Sequence, residues 1–376
     1  MKIMIERYIA KDDNYQTFFL IGSNGAGKTY NLLKIYERDT TKNIYISEEG
    51  EIHNRTHKNK VKLDLDNKVY IFESDERQRG NRDVNNISKT ISINPRLIEL
   101  LVFCNKELNN INKIKKKSKG QAKILNILEI MTSIFLNSVS IILFDEPENY
   151  LDDSYLRIVT KLFELLEKAK IKVIVATHNP RLCELCNMYI DNVVLMDIKN
   201  IDGKIEYIRA NLTMEEIKET YIKVADTVKE IAIEKKYDQN AGILKKLNMS
   251  ENDVLFEDLL KYLLQSEEFY RALFYKDILL IEGETEKIIL KKVYKNISNN
   301  SYFFTVNGKA FLPFFVEVFY RLNKNLKIVF DSDRNPDKHS NTAVAITDYF
   351  EVKYKEICKI FEYDIESNFR YRFRVF

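Results

Sequence analysis

Cysteine is scarce in this chain. Cys104, Cys183, Cys186 and Cys358 are the four in 376 residues, too few for a disulfide framework. Cys183 and Cys186 share a CxxC spacing, but no second pair or histidine couple stands near them in sequence to complete a zinc site, so they read as two small residues on a helix. Long hydrophobic runs are also missing. No uncharged apolar stretch reaches the roughly eighteen residues that a membrane-crossing helix needs, and the N-terminal MKIMIERYIAKDD lacks the apolar core of a signal peptide. The expected setting is the cytoplasm, with no membrane partner. Nor is there an excess of one charge. The 59 basic and 56 acidic residues leave a formal +3, so any nucleic-acid surface has to be local. Ten glycines and five prolines leave little material for long linkers, and no internal repeat or low-complexity tract is visible.

What the chain does have is apolar substance, 45% of its residues, enough to fill two cores. Short β-branched runs such as SIILFDEPE and KVIVATHNP end in charged or polar residues, and helical patterns follow them. Buried parallel strands with functional carboxyl ends read this way. From Thr213 to Phe274 helix follows helix, and DILLIEGETEK then restarts the strand and helix alternation. The pattern predicts an α/β protein in three parts: an α/β domain over 1–212, a helical connector over 213–275, and a second, small α/β domain with a parallel sheet over 276–376.

Gly22 to Thr29, GSNGAGKT, fits GxxxxGK[ST] between a plausible strand, TFFLI, and a plausible helix, YNLLKIY, the context that a phosphate loop requires. Backbone N–H groups around Asn24, Gly25 and Gly27 would curl about the β-phosphate of ATP. Lys28 would bridge the β- and γ-oxygens, and Thr29 would ligate Mg²⁺. In IILFDEPENYLDD, over 141–153, an apolar strand ends in Asp145 and Glu146. The first carboxylate is placed to hold Mg²⁺ with Thr29, and the second to orient or deprotonate a water. A further strand, over 173–177, leads to His178, a candidate contact to the γ-phosphate. In KKKSKGQAKILNILEIMTSIF the apolar residues recur at helical spacing, so a helix begins close to Gly120. Ser118 and Gly120 then sit at its N-terminus, where an anion is favoured. Lysines 115 to 117 stay open between a solvated loop and a nucleic-acid contact.

The last third delivers carboxylates. DILLIEGETEK is an apolar strand ending in Glu282, with Glu286 one turn into the next helix. LKIVFDSDR is another, ending in Asp331 and Asp333, alternate residues that share a face. KIFEYDIESNF supplies Glu366 beyond a third strand. Four or five such groups at one sheet edge would repel one another and need divalent metal.

The phosphate loop, Ser118 and Gly120, Asp145–Glu146, the Asp-rich segment that follows and His178 occur in the order of the ABC ATPases, and residues 1 to about 212 resemble that class. The resemblance implies head-to-tail ATP sandwiches between copies of the chain. Ser118 and Gly120 would pin the γ-phosphate of ATP held by the neighbouring copy, and Glu146 would be the catalytic base. Lys119 and Gly120 stand where the transporters have two adjacent glycines. The strand-terminal Glu282–Gly283 followed by Asp331-x-Asp333 resembles a Rossmann-like TOPRIM domain.

Joined to an ABC-type ATPase, this is similar to the OLD (overcoming lysogenization defect) family, which includes the nuclease subunit of Gabija anti-phage defence. The resemblance implies that Glu282, Glu286, Asp331 and Asp333 hold two Mg²⁺ or Mn²⁺ ions about 3.5–4 Å apart, with Glu366 a further candidate. It implies that Glu282 and Asp331 serve the cleavage of nucleic acid, DNA before RNA, and that a separate defence protein is a partner. Related OLD nucleases supply a late lysine for the transition-state phosphate; here Lys309 and Lys338 follow strand ends in the carboxylate domain.

Two functions stay open. One is an ATP-regulated endonuclease, and the other is an ATP-driven sensor or scaffold that holds or activates a separate effector. A transporter subunit is disfavoured, because a carboxylate-rich second domain has no task there. The terminal FRYRFRVF, alternating Arg370, Arg372 and Arg374 with aromatics, stays open between a solvent-facing edge strand, the favoured reading, and a nucleic-acid strip.

Overall fold

The computed structural model describes residues 8–10, 15–53, 59–63, 69–73, 95–133, 139–201, 204–237, 255–293, 301–306, 308–331, 341–354 and 358–361, of some of which, Asp331 among them, the backbone alone. The chain falls into two compact units, Met1–Arg209 and Ala210–Phe376.

The first unit runs β1 (Phe18–Gly22), α1 (Lys28–Tyr36), β2 (Asn43–Ile46), β3 (Ile52–His53), β4 (Asn59–Leu63), β5 (Val69–Glu73), α2 (Pro95–Asn112), α3 (Lys119–Ser133), β6 (Ile141–Asp145), α4 (Asp153–Lys168), β7 (Lys172–Thr177), α5 (Pro180–Leu185) and β8 (Val193–Ile201), with β9 (Lys204–Ala210) at its boundary. Seven strands form one sheet in the order β3-β2-β6-β7-β1-β8-β9. From β2 through β8 the neighbours are parallel, and β3 joins the edge antiparallel. Among the described residues the strands β4 and β5 pair only with each other.

Every residue of β1, β6 and β7 is buried. Helices cover both faces of such a sheet, which is why these strands read as continuous apolar runs rather than as alternation. Helix α4 shows the local logic. Asp152 caps it by accepting from the N–H groups of Ser154 and Tyr155, and Leu156, Val159, Leu162, Phe163 and Leu166 form its buried stripe. The consequence for function lies in the strand order. The residue partners Ile21↔Thr177 and Asp145↔Ala176 bring the carboxyl ends of β1, β6 and β7 side by side, where ligands of open α/β sheets bind.

The second unit opens with helices α6 (Met214–Glu234), α7 (Phe256–Leu264) and α8 (Glu267–Leu273). It continues as β10 (Asp277–Ile281), α9 (Glu284–Val293), β11 (Ser301–Thr305), α10 (Leu312–Arg321), β12 (Asn325–Asp331), α11 (Asn341–Lys353) and β13 (Cys358–Phe361). Its four strands lie in the order β11-β10-β12-β13 and are all parallel. Thr213 and Glu216 form a reciprocal capping box that starts α6. This helix packs on α10 and α11, so the helical run belongs to the same compact unit as the second sheet. Phe269, Phe304, Phe315 and Phe319 fill the space between helix and sheet, the rings of Phe304 and Phe315 meeting edge-on at 4.8 Å. Among the described residues no helix is long and apolar enough to cross a membrane.

Candidate functional site

At the carboxyl edge of the first sheet lies a cleft of about 870 Å³, lined by Asn24, Gly25, Gly27, Lys28, Thr29, Asp145, Glu146 and His178, together with Tyr30, Leu33, Glu48, Asn149 and Tyr150. The loop, the strand-end carboxylates and the histidine that the sequence singles out thus line one space. Gly27 turns into α1 with φ 83° and has no side chain to cap the helix, a left-handed conformation that suits glycine, so the first N–H groups of α1 are left for a ligand.

The ammonium of Lys28 is buried and donates to the carbonyls of Gly22 (3.0 Å) and Ser23 (3.1 Å). Its Nζ lies 3.8 Å from Glu146 Oε1. Burial holds its pKa below the ordinary lysine value, although Glu146, Asp145 and Glu148 pull the other way. Asp145 is raised by burial, and the hydroxyls of Thr29 and Tyr45 partly offset this. Tyr45 Oη donates to Asp145 Oδ2 at 2.9 Å, whereas Oδ1 is buried with no hydrogen-bond partner among the described residues. A buried carboxylate oxygen without a donor is costly. With the Thr29 hydroxyl beside the same carboxylate, the pair is the donor set that a hard cation takes, so these residues fit Mg²⁺ bound with ATP.

Glu146 adopts φ 44°, an uncommon conformation for a non-glycine residue. Its N–H donates to Ala176 O at 2.8 Å. Its Oε1 lies 3.1 Å from His178 Nδ1, and its Oε2 accepts from Asn149 Nδ2 at 2.9 Å. Asn149 also donates to Glu48 Oε1 at 2.7 Å. Behind this group Glu148 is buried and accepts from the Thr177 hydroxyl and from His178 N–H (3.3 Å). Burial is the main cause of its raised pKa.

Glu148, Asn149, Glu48 and Tyr45 join the site without a role assigned by any of the sequence motifs. Glu148 and Asn149 carry a local signal, polar residues in the turn directly after the apolar strand. Glu48 and Tyr45 come from a segment about 100 residues away, whose approach no spacing reveals.

Ser118 and Gly120 fall where the periodicity predicts, at the start of α3. Ser118 N–H donates to Gln121 Oε1 (2.9 Å), and Gln121 N–H donates to Ser118 Oγ (3.2 Å). Neither Ser118 nor Gly120 lines the cleft of its own chain. Gly120 has a structural reason of its own, because a Cβ there would stand 2.2 Å from Tyr150 O. The side chain of Lys119 lies over the Tyr150 ring, 3.6 Å from its centroid. Lys115 and Lys116 are exposed, and Lys117 donates to Ile114 O. Cys183 is buried in α5 and Cys186 closes that helix, in agreement with the plain reading of their spacing.

The second sheet presents its own acidic edge. Glu282 follows β10, and the register Ile281↔Val329 sets it beside the end of β12, where the backbone of Asp331 closes the strand. The carboxylate of Glu286 folds back over Gly283, its Oε2 lying 2.8 Å from where a Cβ would be. Gly308 N–H donates to Glu282 O at 3.1 Å, and the next residue, the buried Lys309, has its ammonium 4.9 Å from the centroid of the Phe330 ring. Lys287 bridges Glu284 (3.1 Å) and Glu268 (2.9 Å). Asp333, Lys338, Glu366 and the terminal arginines lie outside the described residues. Among the described residues no group of three or more His, Cys, Asp or Glu forms a metal-binding set.

Two family models match separate parts of the chain. Residues 43–184 match "AAA domain, putative AbiEii toxin, Type IV TA system", and residues 273–333 match "Overcoming lysogenization defect protein-like, TOPRIM domain". The chain has the ATPase–TOPRIM architecture of the OLD family. The OLD TOPRIM match includes Glu282, Glu286, Asp331 and Asp333.

No curated protein matches the chain. Solved structures similar to it include the dimeric, post-hydrolysis ATP-binding cassette MJ0796 bound to ADP and Pi, at 16% identity over 53% of this chain and 87% of that one, with a TM-score of 0.26. Another is the SMC head domain from Thermotoga maritima, at 13% identity over 53% and 92% of the two chains, with a TM-score of 0.27.

Proposed function

We propose that the protein is an ATP-regulated, divalent-metal-dependent endonuclease of the OLD type, acting on nucleic acid, DNA before RNA, in defence against phage. One observation carries the reading: two carboxylate edges, each at the carboxyl ends of parallel strands, one beside a phosphate loop and the other inside a TOPRIM match. In the first unit Lys28 and the N-terminus of α1 bind and orient the triphosphate, while Thr29 and Asp145 hold Mg²⁺. Glu146 takes the proton of the attacking water, and His178, its Nδ1 3.1 Å from Glu146 Oε1, stands beside it to contact the γ-phosphate. Ser118 and Gly120 serve a second copy of the chain, so the ATPase works as a homo-oligomer.

In the second unit Glu282, Glu286, Asp331 and Asp333 hold divalent cations. When bound, such ions generate a nucleophile at neutral pH and stabilise the leaving oxygen of a phosphodiester. The residues fit that role by donor chemistry, since hard cations take carboxylate oxygens. Residues 1–212 serve as the ATPase, 213–275 as connector and 276–376 as nuclease.

The test uses supercoiled plasmid and tRNA with Mg²⁺ or Mn²⁺, with and without ATP. Cleavage by the wild type that is lost in Glu282→Ala and modulated by ATP, with the modulation lost in Lys28→Ala, supports the reading. ATP hydrolysis without cleavage of either substrate under any metal overturns it, in favour of a sensor ATPase serving a separate effector.

A further inference from the structure

We propose that Lys123 is a positioning residue for ATP hydrolysis, an internal clamp that holds the Glu146 turn and joins it to the anion-binding end of α3. The inference rests on the reading of Glu146 as the group that activates water.

Lys123 lies one turn inside α3 and is 3% exposed. Its stem runs beneath the turn after β2, where a Cβ on Gly50 would stand 3.0 Å from Lys123 Cγ. Its Nζ donates to Glu146 O (2.9 Å) and Asn149 O (3.4 Å). These are the two ends of the tight turn that Asn149 N–H closes onto Glu146 O at 3.2 Å. The ammonium therefore meets the backbone that aims the Glu146 side chain. Lys123 is not among the residues that line the cleft.

Physical chemistry gives the contact a purpose. A buried ammonium is expensive, and a hydrophobic residue of similar volume would fill the same space more cheaply. Its charge faces Glu146, Glu148, Asp145 and Glu48, four acids that would otherwise push the turn apart. Glu146 at φ 44° and Tyr150 at φ 69° are conformations that persist only where the surroundings over-determine them. Helix α3 grips this segment twice, with Lys123 on the carbonyls of Glu146 and Asn149 and with Gly120 packed against Tyr150 O. Displacement of the α3 N-terminus is thereby passed to Glu146 within the same subunit, over a path of two contacts.

The test is ATP hydrolysis by the full chain with Mg²⁺, by steady state and single turnover, in the wild type, Lys123→Met, Lys123→Arg, Glu146→Gln and the two double variants. Lys123→Met is expected to lower kcat about 10–100-fold, the size of effect that follows misplacement of a catalytic group, with KM for ATP unchanged. Lys123→Arg keeps the charge but moves the donors, and lowers kcat by a smaller factor. In the Glu146→Gln background neither change slows the residual reaction further, because residues that act as a unit are not additive.

A wild-type kcat in Lys123→Met, or factors that multiply in the double variants, overturns the inference. If Lys123→Met does not fold, Lys123→Arg carries the same comparison. Failure of the underlying reading looks different, since Glu146→Gln would then hydrolyse ATP as fast as the wild type.

Discussion

Lys123 shows how a single residue records its surroundings in its titration. Burial lowers its pKa from 10.5 to about 8, against the upward pull of Glu148, Glu48, Glu146 and Asp145. Between these two pH values the unfolded chain carries a proton that the folded protein has released. Stability contributed by this group therefore rises with pH across the window, by on the order of 2–3 kcal/mol at its alkaline end. Urea unfolding at about pH 7.5 and about pH 10 measures it: the wild type gains on Lys123→Met as the pH rises, and a constant difference between the two excludes the effect. Lys28 is also lowered by burial, against the pull of the same carboxylates, so the comparison reads the two lysines as a coupled pair.

At the scale of elements, α3 and the turn after β6 behave as one piece. Gly120→Ala puts a methyl group 2.2 Å from Tyr150 O, a backbone contact that cannot swing aside. The expected cost is about 1–3 kcal/mol of stability, as for other overpacked sites, together with slower ATP hydrolysis. Thermal melting and kcat of the variant check both, and an unchanged melting temperature would show that α3 slides freely over the turn.

Elements of this kind were largely legible beforehand. The strand before GSNGAGKT, the apolar run into Asp145, the strand before His178 and the Thr213 start of the helical run are all local patterns of period, cap or glycine turn. The partners that complete the site were not legible. Lys123 reaches carbonyls 23 and 26 residues away, and Tyr45 meets Asp145 100 residues on. In sequence both are an ordinary helix lysine and an ordinary strand tyrosine, because their meaning comes from strand order rather than from spacing. Gly120 illustrates a third case. Its position was anticipated for anion binding, while the close approach of Tyr150 is a second reason for glycine that no linear pattern carries.

For the molecule as a whole, the proposed ligand of the first unit acts as a stabiliser. Anything that binds the folded state alone raises stability by mass action, about 2.7 kcal/mol at a hundredfold excess over Kd. Mg²⁺ with ATP is expected to raise the melting transition of the wild type, and the shift is lost in Lys28→Ala. Calorimetry with and without the nucleotide reads the difference, and an equal shift in the variant would move the binding site away from the phosphate loop.

Glu146 leaves one more consequence. Its backbone sits in left-handed space, and its charge adds to burial, the main cause, in raising the pKa of Asp145 beside it, so both geometry and electrostatics work against the fold at the very position proposed to perform chemistry. Strain of this sort is typical of working sites. Relieved of that proposed task, the same scaffold would be free to take a sturdier residue at this corner of the sheet.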